Sequence, residues 1–264
     1  MITGVAGGVL ALVVLLVGVN VLFGEEDPGP QSPSPSVSPS ATPSPSAEPG
    51  TQTGTVTPTA ATESGEVACG AEEPAKAGKP KPQFAGPPPM KIDPKAIYTA
   101  TMETSCGTIV IELDAERAPQ TVNSFVFLTK RGYFDGQYFH RLDTSIDVIQ
   151  GGDPSGTGAD GPGYAIPDEL KGNESYTPGT LAMANAGPNT GGSQFFIITG
   201  PNGTNLDGNP NYTIFGKVIE GLRVAQRIQA LPIVDPNAAD LSGQRPAAAV
   251  YIERVTIRKT GGGA

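Results

Sequence analysis

Tyr98-Thr-Ala-Thr-Met-Glu-Thr104, the triplet Ser105-Cys106-Gly107 and Thr108-Ile-Val-Ile-Glu-Leu113 form two alternating segments around a turn. Alternation of this kind sends successive side chains to opposite faces of a strand, and a short glycine-containing turn joins such strands into a hairpin. The period changes between Ala118 and Lys130. There Val122, Phe125, Val126 and Leu128 make one apolar helical face, and Gly132 suits a left-handed helix end. Short strands are predicted next at Tyr138 to Leu142, Asp147 to Gln150, Gly179 to Met183, Gln194 to Thr199 and Thr213 to Val218. A second helix over Glu220 to Gln229 leads into a last strand at Val250 to Ile257. With the hairpin this makes eight short strands, Gly/Pro turns and two helices. The expected fold is mainly β: a closed eight-stranded antiparallel β-barrel capped by two α-helices, over residues 98–260.

Outside that region the composition shifts. The chain has 264 residues, 35 glycines, 27 prolines and a net charge of -9. No Lys or Arg precedes Lys76, whereas Glu25, Glu26, Asp27, Glu48, Glu63, Glu66, Glu72 and Glu73 do, so the acidity belongs to the N-terminal quarter. Without a basic stripe, nucleic acid is not an expected partner. Ile2 to Phe23 is an uncharged run that as a helix would span about 33 Å, enough for a hydrocarbon core of ~30 Å. Residues 1–24 are therefore expected to anchor the chain in a cell membrane as a single pass. The acidic cluster after the run argues for the catalytic part lying on the extracytoplasmic side. Secretion after cleavage of this segment is the alternative. Residues 25–66 are rich in Pro, Ser and Thr and too poor in apolar groups to offset chain entropy, so a disordered linker is expected. Residues 67–97 read as an extended strap leading into the hairpin.

The chemistry-bearing residues are few. One histidine and two cysteines cannot make a His-rich metal centre or a four-cysteine site, and no metal or cofactor is expected. Cys69 and Cys106 are candidates for a disulfide that would pin the strap to the first hairpin, since an extracytoplasmic compartment would oxidise a free pair. No G-x-S-x-G, P-loop or H-E-x-x-H motif is present. The Gly/Asp loops at Gly151 to Gly163 and Asn205 to Asn209 have turn chemistry rather than calcium-ligand spacing.

Four blocks remain: Phe139-His140-Arg141, Gln150-Gly-Gly-Asp153, the run Leu181-Ala-Met-Ala-Asn-Ala-Gly-Pro-Asn-Thr-Gly-Gly-Ser-Gln-Phe-Phe196, and Ile214-Phe-Gly-Lys-Val218. In this order they resemble the cyclophilin family of peptidyl-prolyl cis–trans isomerases, over roughly Tyr98 to Lys259. The anchored arrangement resembles bacterial membrane-attached members. The resemblance implies proline-containing polypeptides as substrates. It makes Arg141 the catalytic arginine and Gln150 the glutamine that holds it and the substrate carbonyl. It puts Phe196 on the floor of the proline pocket, with Val148 and Leu206 on its walls. Ala184, Asn185 and Gln194 match the strand and loop that hydrogen-bond the peptide backbone, and Tyr212 stands where many members have histidine. His140 matches a structural position.

Three departures carry expectations of their own. Arg141 to Gln150 is one residue longer than the common eukaryotic spacing, so the loop from Asp143 to Asp147 is expected to be remodelled. Asp147 falls where an aromatic pocket wall is expected, and its carboxylate would either weaken proline burial or point away. Asn205 replaces the tryptophan associated with tight cyclosporin binding, which predicts weak inhibition by that drug. The function so implied is isomerisation of X-Pro bonds in exported proteins. A proline-peptide binding module with little turnover is the alternative.

Overall fold

The computed structural model describes residues 55–56, 65–238 and 241–261. The expected anchor and most of the expected linker lie outside the described residues. Among the described residues, no helix is long and apolar enough to cross a membrane.

A short ladder pairs Thr55–Val56 (β1) with Lys81–Pro82 (β2). The hairpin then forms as Ile97–Thr104 (β3) and Gly107–Leu113 (β4), in register from Tyr98 opposite Leu113 to Thr104 opposite Gly107. Its turn uses Gly107 at φ +125°, a conformation that a side chain would oppose. The remaining strands are Gln137–Tyr138 (β5), Arg141–Asp143 (β6), Val148–Gly151 (β7), Thr180–Met183 (β8), Phe195–Ile198 (β9), Ile214–Glu220 (β10) and Tyr251–Thr260 (β11). They form one antiparallel nine-stranded sheet in the order β5-β11-β3-β4-β10-β8-β9-β7-β6.

The expected closed barrel of eight strands is thus a curled sheet of nine. The predicted strand from Tyr138 to Leu142 is broken at Phe139-His140, and its halves form opposite ends of the strand order. At the break Phe139 N–H donates to the Val250 carbonyl and His140 N–H to the Gln150 carbonyl, each at 3.0 Å. One short piece of chain therefore passes from one edge to the other, and no change of period in the sequence marks the point where its partner switches.

Both predicted helices are present, as Pro119–Thr129 (α1) and Leu222–Gln229 (α2). Proline suits the first turn of α1 because its missing N–H would have no helical partner. The next free donors, Gln120 and Thr121 N–H, bond the Glu169 carboxylate at 3.0 and 2.8 Å. Beyond α1, Gly132 adopts φ +63° and its N–H bonds the Thr129 carbonyl.

Alternation along three neighbouring strands places the site. Ile149, Leu181, Met183, Phe195 and Ile197 enter the main core, where Phe125 stacks on Phe134 at 4.9 Å. Their neighbours Val148, Ala182, Phe196 and Ile198 point the other way and join Tyr176 in a second apolar cluster. The second apolar cluster on the far face of β7, β9 and β8 follows from strand periodicity.

The strap is tied down along its length. Val67 bridges Ala249, Lys76 pairs with Asp135 at 2.6 Å, and the buried Lys81 donates to the Asp135 carbonyl. Further on, Gln83 and the Phe84 N–H bond the carbonyls of Gly161 and Pro162 at 2.7 and 2.8 Å. Cys69 and Cys106 are joined as a disulfide, so the strap is fixed to the β3–β4 turn.

Candidate active site

Four of the expected site residues fall on or beside one transverse row. Arg141 on β6 faces Gln150 on β7, Gln150 faces Phe196 on β9, and Phe196 faces Ala182 on β8. Strands lie about 4.8 Å apart, so the guanidinium-bearing strand is roughly 10 Å from the strand that carries Phe196. Val148 lies two residues before Gln150 and so on the same face.

The polar end is a directional chain. The Gln194 amide donates to the Gly158 and Asp160 carbonyls at 3.0 and 2.9 Å. Carbonyls only accept, so these bonds fix which end of the amide is nitrogen. The Gln194 Oε1 is then left to accept from Gln150 Nε2 at 2.9 Å, and Gln150 Oε1 accepts from Arg141 Nη1 at 3.0 Å. On its other sides Arg141 pairs through Nη2 with the buried Asp143 carboxylate and through Nε with Gln244 Oε1 at 2.7 Å. A guanidinium has five N–H donors. Three are engaged here, which leaves one on each terminal nitrogen.

The apolar end is a cup. Phe196 is 4% exposed, and Tyr212 meets it edge to face at 5.2 Å. Tyr212 is itself held through its backbone: its N–H donates to the Tyr176 hydroxyl, which donates to the Tyr212 carbonyl. Burial pushes that Tyr176 hydroxyl up to about 12, so it stays protonated and able to donate. Leu206, Ala184 and Ile146 pack on the same cluster.

Ile146 is the residue that the sequence did not suggest. The extra position between Arg141 and Gln150 is absorbed at Asp147, which takes φ +51°. This turns Ile146 toward Phe196 and Asp147 away from it. The Asp147 carboxylate accepts the Asn202 N–H at 2.8 Å, while its carbonyl accepts the Thr199 N–H. Of the two outcomes expected for Asp147 the second is found: its carboxylate points away, and Ile146 makes that side of the cluster aliphatic. The nine-residue interval was the available signal, because a one-residue insertion reverses which side chain faces a given side.

Other expected residues make bonds within the chain. The side chain of Gln194 is committed to the loop and to Gln150. The Asn185 amide donates to the Asn211 carbonyl at 2.8 Å, and Ala184 N–H bonds the Gln194 carbonyl at 2.9 Å. Asn205 is exposed at the rim and donates to the Ser145 carbonyl at 3.3 Å. His140 is buried, and chiefly by that burial its pKa is lowered to about 4, so the ring is neutral at pH 7. The Gly/Asp loop from Gly151 uses Asp153 as a turn acceptor for Ser155 and Gly158, and among the described residues no cluster could hold a metal.

A family model described as cyclophilin type peptidyl-prolyl cis-trans isomerase matches residues 99–257 of the chain. The chain belongs to the cyclophilin-type peptidyl-prolyl cis-trans isomerases. Among its relatives, the human peptidyl-prolyl cis-trans isomerase-like 1 is 43% identical over 161 residues, covering 60% of this chain and 91% of that cyclophilin. A peptidyl-prolyl cis-trans isomerase from Schizosaccharomyces pombe is 49% identical over 131 residues, covering 48% of this chain and 82% of the relative. A crystal structure of a Cryptosporidium parvum cyclophilin superposes with a TM-score of 0.54 at 29% identity, covering 62% of this chain and 99% of that one. A second structure of that protein, in the presence of the dipeptide Ala-Pro, gives a TM-score of 0.53 at 31% identity, with 61% and 98% covered. These relatives are eukaryotic, so the bacterial, membrane-attached form of the resemblance rests on the N-terminal sequence alone.

Proposed function

We propose that this cyclophilin-type isomerase acts on exported proteins outside a membrane to which its N-terminal segment anchors it. The Phe196 cup receives the proline ring, and Arg141 is the catalytic donor. Rotation about an X-Pro bond breaks partial double-bond character, with a barrier of roughly 18–20 kcal/mol. An apolar cup grips the ring, and a cation aimed at the prolyl nitrogen or the turning carbonyl stabilises the twisted amide electrostatically. Nothing in this requires a nucleophile or a proton transfer, which agrees with a neutral, buried His140.

The observation that carries the reading is the row from Arg141 through Gln150 to Phe196. It presents a fixed cation with two remaining N–H donors beside the apolar cluster of Phe196, Val148, Leu206 and Tyr212. The presence of Ala-Pro in the Cryptosporidium parvum structure supports proline-containing peptides as the ligand class here. Asn185 and Ala184, at the edge of β8, are the backbone against which the peptide would lie. With Asp147 turned away, the case for a binding module without turnover loses its physical basis.

Two features support the location. The uncharged run Ile2 to Phe23 suits a membrane span, and a disulfide suits an oxidising compartment. The test of function is an isomerisation assay of the full chain on an X-Pro peptide. Arg141→Ala should reduce kcat/KM by on the order of 10²-fold or more, as loss of an oxyanion-type donor does, and an unchanged rate would refute the role. For location, cell fractionation and mass spectrometry of the N-terminus decide. A mature chain beginning after Phe23, or reduced cysteines in cells, would overturn it.

A further inference from the structure

The strand pairs of the sheet account for Arg141, Gln150 and the cup. They do not account for the third group on the arginine. Gln244 comes from the segment between α2 and β11, which folds back as a small hairpin. Val234 N–H bonds the Arg245 carbonyl at 2.9 Å, Asp235 N–H the Gly243 carbonyl at 3.0 Å, and Ala247 N–H the Pro232 carbonyl at 2.8 Å. Ile233 bridges Pro246 in the same ladder. Gly243 sits so close to its partner strand that a Cβ there would collide with the Asp235 carbonyl and the Ala238 methyl. Backbone bonds and a tight glycine therefore shape this hairpin, and the Gln244 side chain is left to reach Arg141 Nε at 2.7 Å.

A bond at Nε has a consequence that bonds at the terminal nitrogens lack. The guanidinium is planar and turns as a unit about its bond to the side-chain stem. Gln150 on Nη1 and Asp143 on Nη2 set the outer edge of that plane. An acceptor at Nε fixes the inner edge. With one acceptor from each of three elements, the orientation of the two remaining N–H groups is set before a peptide arrives. Holding such donors in place beforehand is what makes them effective on a transition state.

We propose that Gln244 is a positioning residue for the isomerisation, holding the Arg141 guanidinium through Nε in the plane from which it meets the prolyl amide. The inference rests on the assignment of Arg141 as the catalytic donor. It implies that Gln244 acts on turnover and not on proline capture, because it belongs to the arginine's surroundings and not to the cup. It implies also that an acceptor, and not a glutamine as such, is required at position 244.

The experiment uses the full chain and an Ala-Pro tetrapeptide, with kcat and KM separated by exchange NMR over a range of peptide concentrations. The variants are Gln244→Ala, Gln244→Leu and Gln244→Glu beside Arg141→Ala, each checked by thermal unfolding. Gln244→Ala and Gln244→Leu should lower kcat roughly tenfold, the equivalent of about 1.4 kcal/mol, with KM within about twofold of the parent. Gln244→Glu, which keeps the acceptor, should restore kcat to within about threefold. The Arg141 Nε–H resonance should be slow to exchange in the parent and in Gln244→Glu, and fast in the other two. If Arg141→Ala abolishes activity while Gln244→Ala and Gln244→Leu keep parental kcat, the positioning role is refuted and the function stands. If Arg141→Ala itself keeps parental activity, the catalytic reading fails first, and this inference with it. A Gln244→Ala that raises KM and spares kcat would refute the role as well.

Discussion

Reducing the Cys69–Cys106 bond should destabilise the domain by an amount that its position in the chain sets. The partners are 37 residues apart, so the bond closes a loop of about 38 residues. The chain-entropy relation then gives about 13 cal/mol/K, or roughly 4 kcal/mol at 25 °C, removed from the unfolded state. Little should be lost from the folded state. The strap keeps its own ties: the Val67–Ala249 bridge, Lys76 on Asp135, and Phe84 against Phe127 with ring centres 5.0 Å apart. Cys106 is 3% exposed, and reduction leaves its side chain in place, with no cavity to add to the effect. The assay is urea unfolding of the full chain, followed by tyrosine fluorescence and far-UV circular dichroism, with and without reductant. At a slope of about 2 kcal/mol/M, the midpoint should fall by about 2 M. The Cys69→Ala variant should reproduce the loss and make the protein indifferent to reductant. A shift below about 0.5 M would show that the unfolded chain is not the state being constrained, and would refute the reasoning.

Ile146→Ala should raise KM several-fold with little change in kcat. Asp147→Ala should spare both and lower stability by about 1–2 kcal/mol, since it loses the Asn202 contact and leaves alanine at φ +51°; a large gain in peptide affinity on removing the carboxylate would contradict the aliphatic wall. The folded pKa of His140, about 4, lies below the ordinary 6.5, so the unfolded state takes up the proton first as pH falls. Its contribution is therefore complete above about pH 6.5 and is lost progressively toward pH 4. His140→Phe should unfold with a shallower loss than the parent over that window, and parallel stability curves would refute this. Cyclosporin should inhibit weakly, because exposed Asn205 offers no indole at the rim; inhibition at nanomolar drug in the isomerisation assay would overturn that reading.

Much of this was legible because strands and pockets obey periodicity. The hairpin from Tyr98 to Leu113 reads directly from its alternation, whereas in the wholly apolar Phe195-Phe196-Ile197-Ile198 the cup-facing side was given by the family resemblance of Phe196 and strand geometry then sorts its neighbours. What escaped has physical reasons. Phe139-His140 hands a strand from one edge to the other through two backbone hydrogen bonds, and no side-chain pattern encodes that. Ile146 escaped because a bulge reverses facing, and the position of a bulge depends on which residue tolerates positive φ; Asp147 does, being among the few types whose short polar side chain can bond locally. Gln244 lies 103 residues from Arg141, on a hairpin whose pairing is set by backbone bonds and one glycine. The strap reads as extended, but the burial of its Lys81 has no sequence signal, because a lysine is normally a surface residue.

The disulfide also has a mechanical meaning. Tension drawn through the chain N-terminal to Thr55 meets first the two-residue ladder on Lys81–Pro82; once that parts, it meets the short bridge from Val67 to Ala249 and then, two residues later, a covalent link into the turn between β3 and β4. From there the load runs along β3 and β4 as shear across many hydrogen bonds at once. It does not unzip the strap bond by bond from Gly70 to Lys95. After the β1–β2 ladder has parted, a tug on the leading segment would thus be felt by the sheet before it could loosen Gln83 and Phe84, which steady the loop behind Gln194. Beyond that two-residue ladder, the working face is insulated from whatever pulls on the other end.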